Sequence, residues 1–299
     1  MIAARCVALG CGAVLASSEY AAAATFSVPG IARIVDVSQA AISGDAGRVV
    51  FVASRAVLDR NTYRDELWVY DRATAALRRL ARGHESFSSP AWSPGGREIA
   101  VIADGPGGVD QLYVVRLDGS LLALTSGSTG VEAFAWRPDG RSIAFVRRDP
   151  AARRTGAAAY ADAFEVGDND YLATARPRPR HLWIATLSGR ERRLTSGEWS
   201  VANSTISWSP DGASLAYMRV PNAIHGVSDR ASAYAVDLAG DSSHALTTHD
   251  AYEDQIAWSP GGGRLLFLYP RDGNPAGATS LRFVDENRRD SDASSQLDR

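Results

Sequence analysis

One phrase is written four times along this chain, and it leaves few folds open. Ser207-Trp208-Ser209-Pro210-Asp211-Gly212 has counterparts in AWSPGG at 91–96, AWRPDG at 135–140 and AWSPGG at 257–262. After each copy comes an apolar run rich in β-branched and aromatic residues: EIAVI, SIAFV, SLAYM and RLLFL. Such runs are strand formers, so each unit reads as a hairpin that enters on a Trp, turns and leaves on the run. The turn chemistry is type I: Ser209 suits the first position, Pro210 pre-sets φ at the second, Asp211 fits the third and Gly212 the fourth. A single hairpin cannot bury an indole and a row of apolar side chains, so each unit needs neighbours.

The spacing says what the neighbours are. Successive tryptophans stand 44, 72 and 50 positions apart (Trp92, Trp136, Trp208, Trp258), and a worn fifth copy, AAISGDAGRVVFV, puts Ile42 50 positions before Trp92. A period of about 40 to 50 residues suits a four-stranded propeller blade. Third strands follow as ELWVYD, QLYVV, HLWIA, SAYAV and SLRFV, and closing strands as LRRLA, LLALT, ERRLT, SHALT and SSQLD. The expected fold is therefore all-β: a β-propeller of about five four-stranded blades, at 38–82, 87–126, 131–196, 203–248 and 252–297. The 72-residue interval places an insertion, Asp149 to Arg180, between the second and third strands of the third blade. In an up-and-down blade that loop leaves on the face opposite the Ser-Pro-Asp-Gly turns. Trp92, Trp136, Trp208 and Trp258 are expected in the core, Trp68 and Trp183 between blades, and Trp199 as the indole freest to meet a partner.

Composition narrows the function. With 299 residues, 45% apolar and 22% charged, the chain is an ordinary globular one, and a net charge of −2 gives no reason to expect a nucleic acid partner. All 32 basic residues are arginine, which removes the lysine of a phosphate-binding P-loop and every Schiff-base mechanism. Residues 1 to about 24, with Arg5, an apolar run from Cys6 to Ala16 and Ala21 to Ala24, read as a secretory signal peptide. That reading predicts a periplasmic or secreted protein. Both cysteines, Cys6 and Cys11, fall inside the signal, so the mature chain would have no disulfide or thiol nucleophile. No other stretch is long and apolar enough to span a bilayer.

Few residues are candidates for chemistry. The G-x-S-x-G elbow of α/β-hydrolases does not occur. The histidines, His84, His181, His225, His244 and His249, form no ligand-spaced cluster, so neither a metal centre nor a cofactor is expected. Asp168-Asn169-Asp170 does not continue into a calcium loop, and the turns lack the spacer and following Trp of the sialidase Asp box. The most unusual stretch is DAFEVGDNDY at 162–171, where Asp162, Glu165, Asp168 and Asp170 lie among aromatics with arginines on both sides. It could hold a cationic group such as a peptide amino terminus by charge-assisted hydrogen bonds, or pair with its own arginines 153, 154, 176, 178 and 180 as a solvated loop.

The repeat x-x-W-S-P-D-G-x-x-[IL]-A-[FY], with L-W-[VI] and R-R-L-T after it, resembles the TolB-type propeller repeat. VLDRNTYRDELWVYDRATAALRRL and ADAFEVGDNDYLATARPRPRHLWI resemble the N-terminal propeller of secreted bacterial prolyl oligopeptidase-family serine peptidases of the acylaminoacyl-peptidase-like branch. The resemblance covers about residues 26 to 299. It implies a propeller, usually of seven blades, that gates a C-terminal α/β-hydrolase domain carrying Ser, Asp and His. This chain matches only the propeller, so no catalytic residue is carried over, and about five blades imply an open part of the ring that should be poorly soluble or oligomeric. Two roles follow as expectations: a non-catalytic propeller that gates or docks peptides beside a hydrolase supplied in trans, or a stand-alone TolB-like scaffold binding a protein partner in the periplasm.

Overall fold

The computed structural model describes residues 30, 33–151, 155–157, 163–165, 174–224, 228–249 and 252–295. The expected signal segment lies outside them. The described chain is built of strands with short 3-10 turns, in five separate four-stranded antiparallel sheets.

Sheet 1 contains β1 (Val35–Ile42), β2 (Arg48–Val57), β3 (Thr62–Asp71) and β4 (Ala76–Arg79). Sheet 2 contains β5 (Phe87–Trp92), β6 (Glu98–Asp104), β7 (Asp110–Arg116) and β8 (Leu121–Ala123). Sheet 3 contains β9 (Val131–Trp136), β10 (Ser142–Arg148), β11 (Arg180–Thr186) and β12 (Glu191–Arg193). Sheet 4 contains β13 (Ser200–Trp208), β14 (Ser214–Val220), β15 (Ser232–Asp237) and β16 (Ser242–Ala245). Sheet 5 contains β17 (Asp254–Trp258), β18 (Arg264–Pro270), β19 (Thr279–Asp285) and β20 (Asp290–Asp292). In every sheet each strand pairs with its neighbour in sequence, which is the blade meander.

The repeated turn does what its residues dictate. Gly212 N–H donates to the Ser209 carbonyl at 2.8 Å, the Ser209 hydroxyl donates to Asp211 Oδ1 at 2.6 Å, and Ser214 N–H donates to Ser209 Oγ at 2.9 Å. The worn copy keeps the device, with Ser43 Oγ donating to Asp45 at 2.6 Å and accepting from Arg48 N–H at 2.9 Å. Gly212 has φ +69°, the left-handed region that favours glycine; the worn turn has Ala46 there, at φ +53°.

Two ladders stitch sheet to sheet. The indole N–H of Trp92 donates to the Ala41 carbonyl at 3.0 Å, that of Trp136 to Ala91 at 3.1 Å and that of Trp208 to Ala135 at 3.1 Å. Each tryptophan thus reaches the residue just before the same position in the preceding sheet. Beside this ladder the turns stack: a side chain on Gly140, Gly212 or Gly262 would meet the ring of Pro94, Pro138 or Pro210 at 3.5 to 3.7 Å. Those distances are ordinary van der Waals contact, so it is the positive φ of these positions, not the room beside the prolines, that favours glycine there.

Four cores lie between the five sheets, each joining a sheet to the next one in sequence. Tyr217, Phe87, Phe145 and Phe267 are their largest fully buried side chains. Burying each contributes on the order of 2 kcal/mol, against about 1 kcal/mol for a single turn hydrogen bond. Among the described residues no core joins sheet 5 back to sheet 1, and the propeller is open. Trp183 packs into the core between sheets 2 and 3 as expected, while Trp68 stands on the outward face of sheet 1, with its N–H on Glu66 Oε2 at 3.2 Å and no sheet beyond it among the described residues.

Candidate binding face

The connection from β10 to β11 leaves the face opposite the Ser-Pro-Asp-Gly turns, and its neck is closed. Asp149 N–H donates to the Pro179 carbonyl at 2.8 Å, and Arg178 Nη1 donates to the Asp149 carbonyl at 3.0 Å. Below the neck Glu132, on β9, accepts from Arg148 Nε and Arg180 Nε, both at 2.5 Å, one on each carboxylate oxygen. The last residue of β10 and the first of β11 are thus clamped to the first strand of the same blade. Such charge-assisted bonds are short and directional, and half-burial keeps them from full screening.

Beside the clamp His181 is fully buried, and its hydrogen bonds define its state. Leu182 N–H donates to Thr195 Oγ1 at 2.9 Å, so the Thr195 hydroxyl is free to donate to His181 Nδ1 at 3.3 Å. His181 Nε2–H then donates to the Gly197 carbonyl at 3.2 Å. That assignment satisfies every atom with a neutral imidazole. Burial, helped by the Arg193 charge and opposed by Asp149, holds its pKa below the ordinary histidine value. Arg193 donates to Asp149 Oδ2 at 3.0 Å, and Arg147, nearly buried, donates to Glu191 at 2.8 Å with its guanidinium 4.2 Å from the centre of the Trp183 ring.

Trp199 is less free than its sequence position suggests. Gly197, at φ +132°, has room for no side chain because a Cβ would fall 2.8 Å from the indole nitrogen. The indole lies edge-on to His181 (4.9 Å between centroids) and stacked on Tyr217 (5.6 Å), with Arg219 over it at 4.5 Å. Burial pushes the Tyr217 phenol up to about 12, so it donates to Ser243 Oγ at 3.1 Å as a neutral hydroxyl. Trp199 with Arg193, Thr195, Ser196, Asp241 and Ser243 lines a cleft of about 430 Å³ between sheets 3 and 4.

Of the four acidic residues singled out above, Glu165 is described and is exposed; Asp162, Asp168 and Asp170 lie outside the described residues. Of the flanking arginines, Arg178 donates to the Asp149 carbonyl and Arg180 to Glu132, and Arg153 and Arg154 lie outside the described residues.

Sequence reasoning missed Glu253. It precedes β17 and is 1% exposed, yet it is a carboxylic acid. It accepts from Ala233 N–H at 2.6 Å and from the Thr247 hydroxyl at 2.9 Å, and it faces His249 Nδ1 at 2.7 Å. His249 stacks on Tyr269 (4.0 Å) and puts Nε2 3.1 Å from Asp290, which Arg282 also grips. In sheets 2, 3 and 5 the matching strand N–H, of Leu112, Leu182 or Leu281, is capped by the hydroxyl of Thr125, Thr195 or Ser294. In sheet 4 a carboxylate replaces that hydroxyl. Burial is the largest influence on Glu253 and raises its pKa above the ordinary value. The faint signal was the spacing His249-x-x-x-Glu253 after a closing strand.

No family model matches the chain. A curated relative, "Uncharacterized peptidase YuxL" of Bacillus subtilis (strain 168), is 30% identical over 89 residues, which is 30% of this chain and 14% of that protein. The acylaminoacyl peptidase of Pyrococcus horikoshii superposes with a TM-score of 0.63 at 13% identity, covering 89% of this chain and 41% of that one. The β-propeller domain of the Trilobed protease of Pyrococcus furiosus, described as having an open velcro topology, gives 0.58 at 16% identity, covering 90% and 73%. The fold is that of the TolB-like propeller. TolB of Acinetobacter baumannii shares it at a TM-score of 0.50 and 14% identity, covering 86% of this chain and 67% of that protein. The chain therefore spans well under half the length of the peptidases it resembles, and the part it matches is their propeller.

Proposed function

We propose that this chain is the non-catalytic propeller portion of a peptidase-type protein, which docks or gates peptides on the face carrying the β10–β11 connection. The observation that carries this reading is the likeness to peptidase propellers over nine-tenths of the chain, joined to a clamped neck that holds one enlarged connection on one face. Chemistry would come from a hydrolase domain outside these residues, which carry no G-x-S-x-G elbow. Asp162, Glu165, Asp168 and Asp170 would hold the cationic amino terminus of a peptide, and the leader at 1–24 would direct the chain to the periplasm or outside the cell.

Two measurements test this. The purified chain should not turn over acyl-aminoacyl or peptidyl chromogenic substrates, and turnover would overturn the non-catalytic role. A fluorescent peptide with a free amino terminus should bind more tightly than its acetylated form, and Glu165→Gln should narrow that difference; equal binding of the two peptides would remove the acidic run from the role. The likeness to TolB favours a second reading, a stand-alone scaffold for a protein partner. That reading gains if a folded protein is captured specifically while neither peptide binds.

A further inference from the structure

Every blade has two faces, and the second strand tells them apart. Val50 and Val52 of sheet 1 pack against Ile99 and Val101 of sheet 2, and Ala100 and Ile102 of sheet 2 against Ile143 and Phe145 of sheet 3. Ala144 and Val146 then meet Leu215 and Tyr217, and Ala216 and Met218 meet Leu265 and Phe267. All four interfaces have one polarity. The bulkier face of each later sheet, from Ile99/Val101 to Leu265/Phe267, is at most 1% exposed, covered by the face of the sheet before it.

Among the described residues, two faces of opposite type are left without a sheet against them. Sheet 1 turns outward the positions equivalent to Ile99 and Val101, namely Val49 and Phe51, which are only half-buried. Cross-strand register puts Val35, Val37, Trp68, Tyr70 and Leu77 on that same face. Val37 is 58% and Leu77 57% exposed, and most of the exposed large apolar residues described in the chain belong to this blade. Sheet 5 turns outward Leu266 and Leu268, the positions equivalent to Ala216 and Met218, with Phe283 and Leu281 beside them. One face is of the kind that covers, the other of the kind that is covered.

We propose that the outward face of sheet 1 of one copy docks on the outward face of sheet 5 of a second copy, head to tail, repeating the pairing made at the four internal interfaces. A face of four strands about seven residues long measures on the order of 500 Å². Two such faces bury about 1,000 Å², the lower bound for a specific interface, so the association is concentration-dependent. Ile42 occupies the tryptophan position of sheet 1, so this seam makes an apolar contact where the internal ladder has an indole. The contact is heterologous: each copy keeps one unfilled face, and assembly adds copies in succession rather than stopping at a two-fold pair. This inference does not depend on the proposed role in peptide docking.

Sedimentation velocity of the full chain over roughly 1 to 100 µM tests it, the range following from an interface at the low end of size. The expected result is an average mass that climbs with concentration. Val37→Asp and Leu281→Asp alter exposed positions on the two outward faces, so both variants should fold, with circular dichroism as the check. Each alone should weaken self-association at least about tenfold, because a charge would be desolvated at the seam. Mixed together, the two variants each retain the face the other lacks and should form a one-to-one complex that grows no further. A monomer at every concentration overturns the proposal, as does association that survives either substitution, or a mixture that forms no pair.

Discussion

The interface between sheets 3 and 4 and the interface between sheets 4 and 5 are written in the same repeat but held in different ways. At the first, Trp208 is 7% exposed with its indole N–H on the Ala135 carbonyl, and Tyr217 is fully buried under Trp199 and Tyr234. At the second, Trp258 is half-buried, its N–H has no partner among the described residues, and the facing core is largely small: Ala202, Ala216, Ala231 and Ala233 with Met218. There the blades also meet through Glu253 and His249, a buried carboxylate and an imidazole facing a second acid across the seam. The repeat fixes backbone geometry at both places. The energy of each seam comes from side chains that the repeat leaves open. Aromatic burial is worth more than a buried ionic contact, whose desolvation offsets most of its attraction, so the polar network is better understood as fixing geometry than as adding stability.

The largest test of that difference is Trp208→Ala. It removes a buried indole and orphans the Ala135 carbonyl, and should cost about 3–5 kcal/mol in urea-induced unfolding. Trp258→Ala should cost about half as much, because its indole is less buried and unbonded. Equal losses would show that the two seams are energetically alike.

Next in size is Glu253. Glu253→Ala strands the Ala233 N–H and the Thr247 hydroxyl in a buried site and should cost about 2–3 kcal/mol. Glu253→Gln isolates the charge. Burial raises the folded-state pKa of Glu253 above that of a free glutamate, so between those two values the folded state holds more protons than the unfolded one. Its contribution to stability is therefore complete below the free-glutamate range and is lost as pH rises through the raised pKa. Denaturation midpoints at about pH 4.5 and 7.5 should show Glu253→Gln gaining on the wild type as pH increases. A gain in the opposite direction would mean that the His249 contact outweighs burial.

A smaller contrast uses the indole hydrogen bonds alone. Trp208→Phe keeps most of the ring and loses one bond to a carbonyl, a change of about 1 kcal/mol beyond the packing loss. Trp258→Phe has no such bond to lose. If the two variants lost the same amount after correction for ring size, the ladder would be geometry without energy.

How much of this could be read beforehand follows from what repeats. The hairpins, the turn and the four core tryptophans were legible because one phrase recurs at blade spacing and its residues act locally. Trp199, read as the indole freest to meet a partner, lines a cleft but also stacks on Tyr217, since nothing local says that Gly197 opens the space in which it lies there. Trp68 follows the same pattern as Trp183 but belongs to the first described sheet, so no earlier blade among the described residues packs on it. In sequence His181 showed only as one of five histidines with no ligand-spaced cluster; its hydrogen bonds come from Thr195 and Gly197, which follow the closing strand. Glu253 was invisible because in sequence a buried acid looks like a solvated one, and its burial requires β15, the end of sheet 4 and His249 together.

The smallest test probes the part held constant between the two seams, the turn. Ala46 takes the left-handed position, φ +53°, that glycine fills at Gly96, Gly140, Gly212 and Gly262. That conformation costs an L-residue about 1–2 kcal/mol, while glycine adds about 0.5–1 kcal/mol of unfolded-state entropy. The strain is the larger quantity, so Ala46→Gly should stabilise the chain by about 0.5 kcal/mol. Gly212→Ala should do the reverse and more, because besides the same strain its Cβ would fall 2.9 Å from Arg137 Nε, which already donates to the Gly212 carbonyl at 3.0 Å. A loss of stability in Ala46→Gly would mean that the worn turn has relaxed its geometry, and that the turns, like the seams, are set blade by blade.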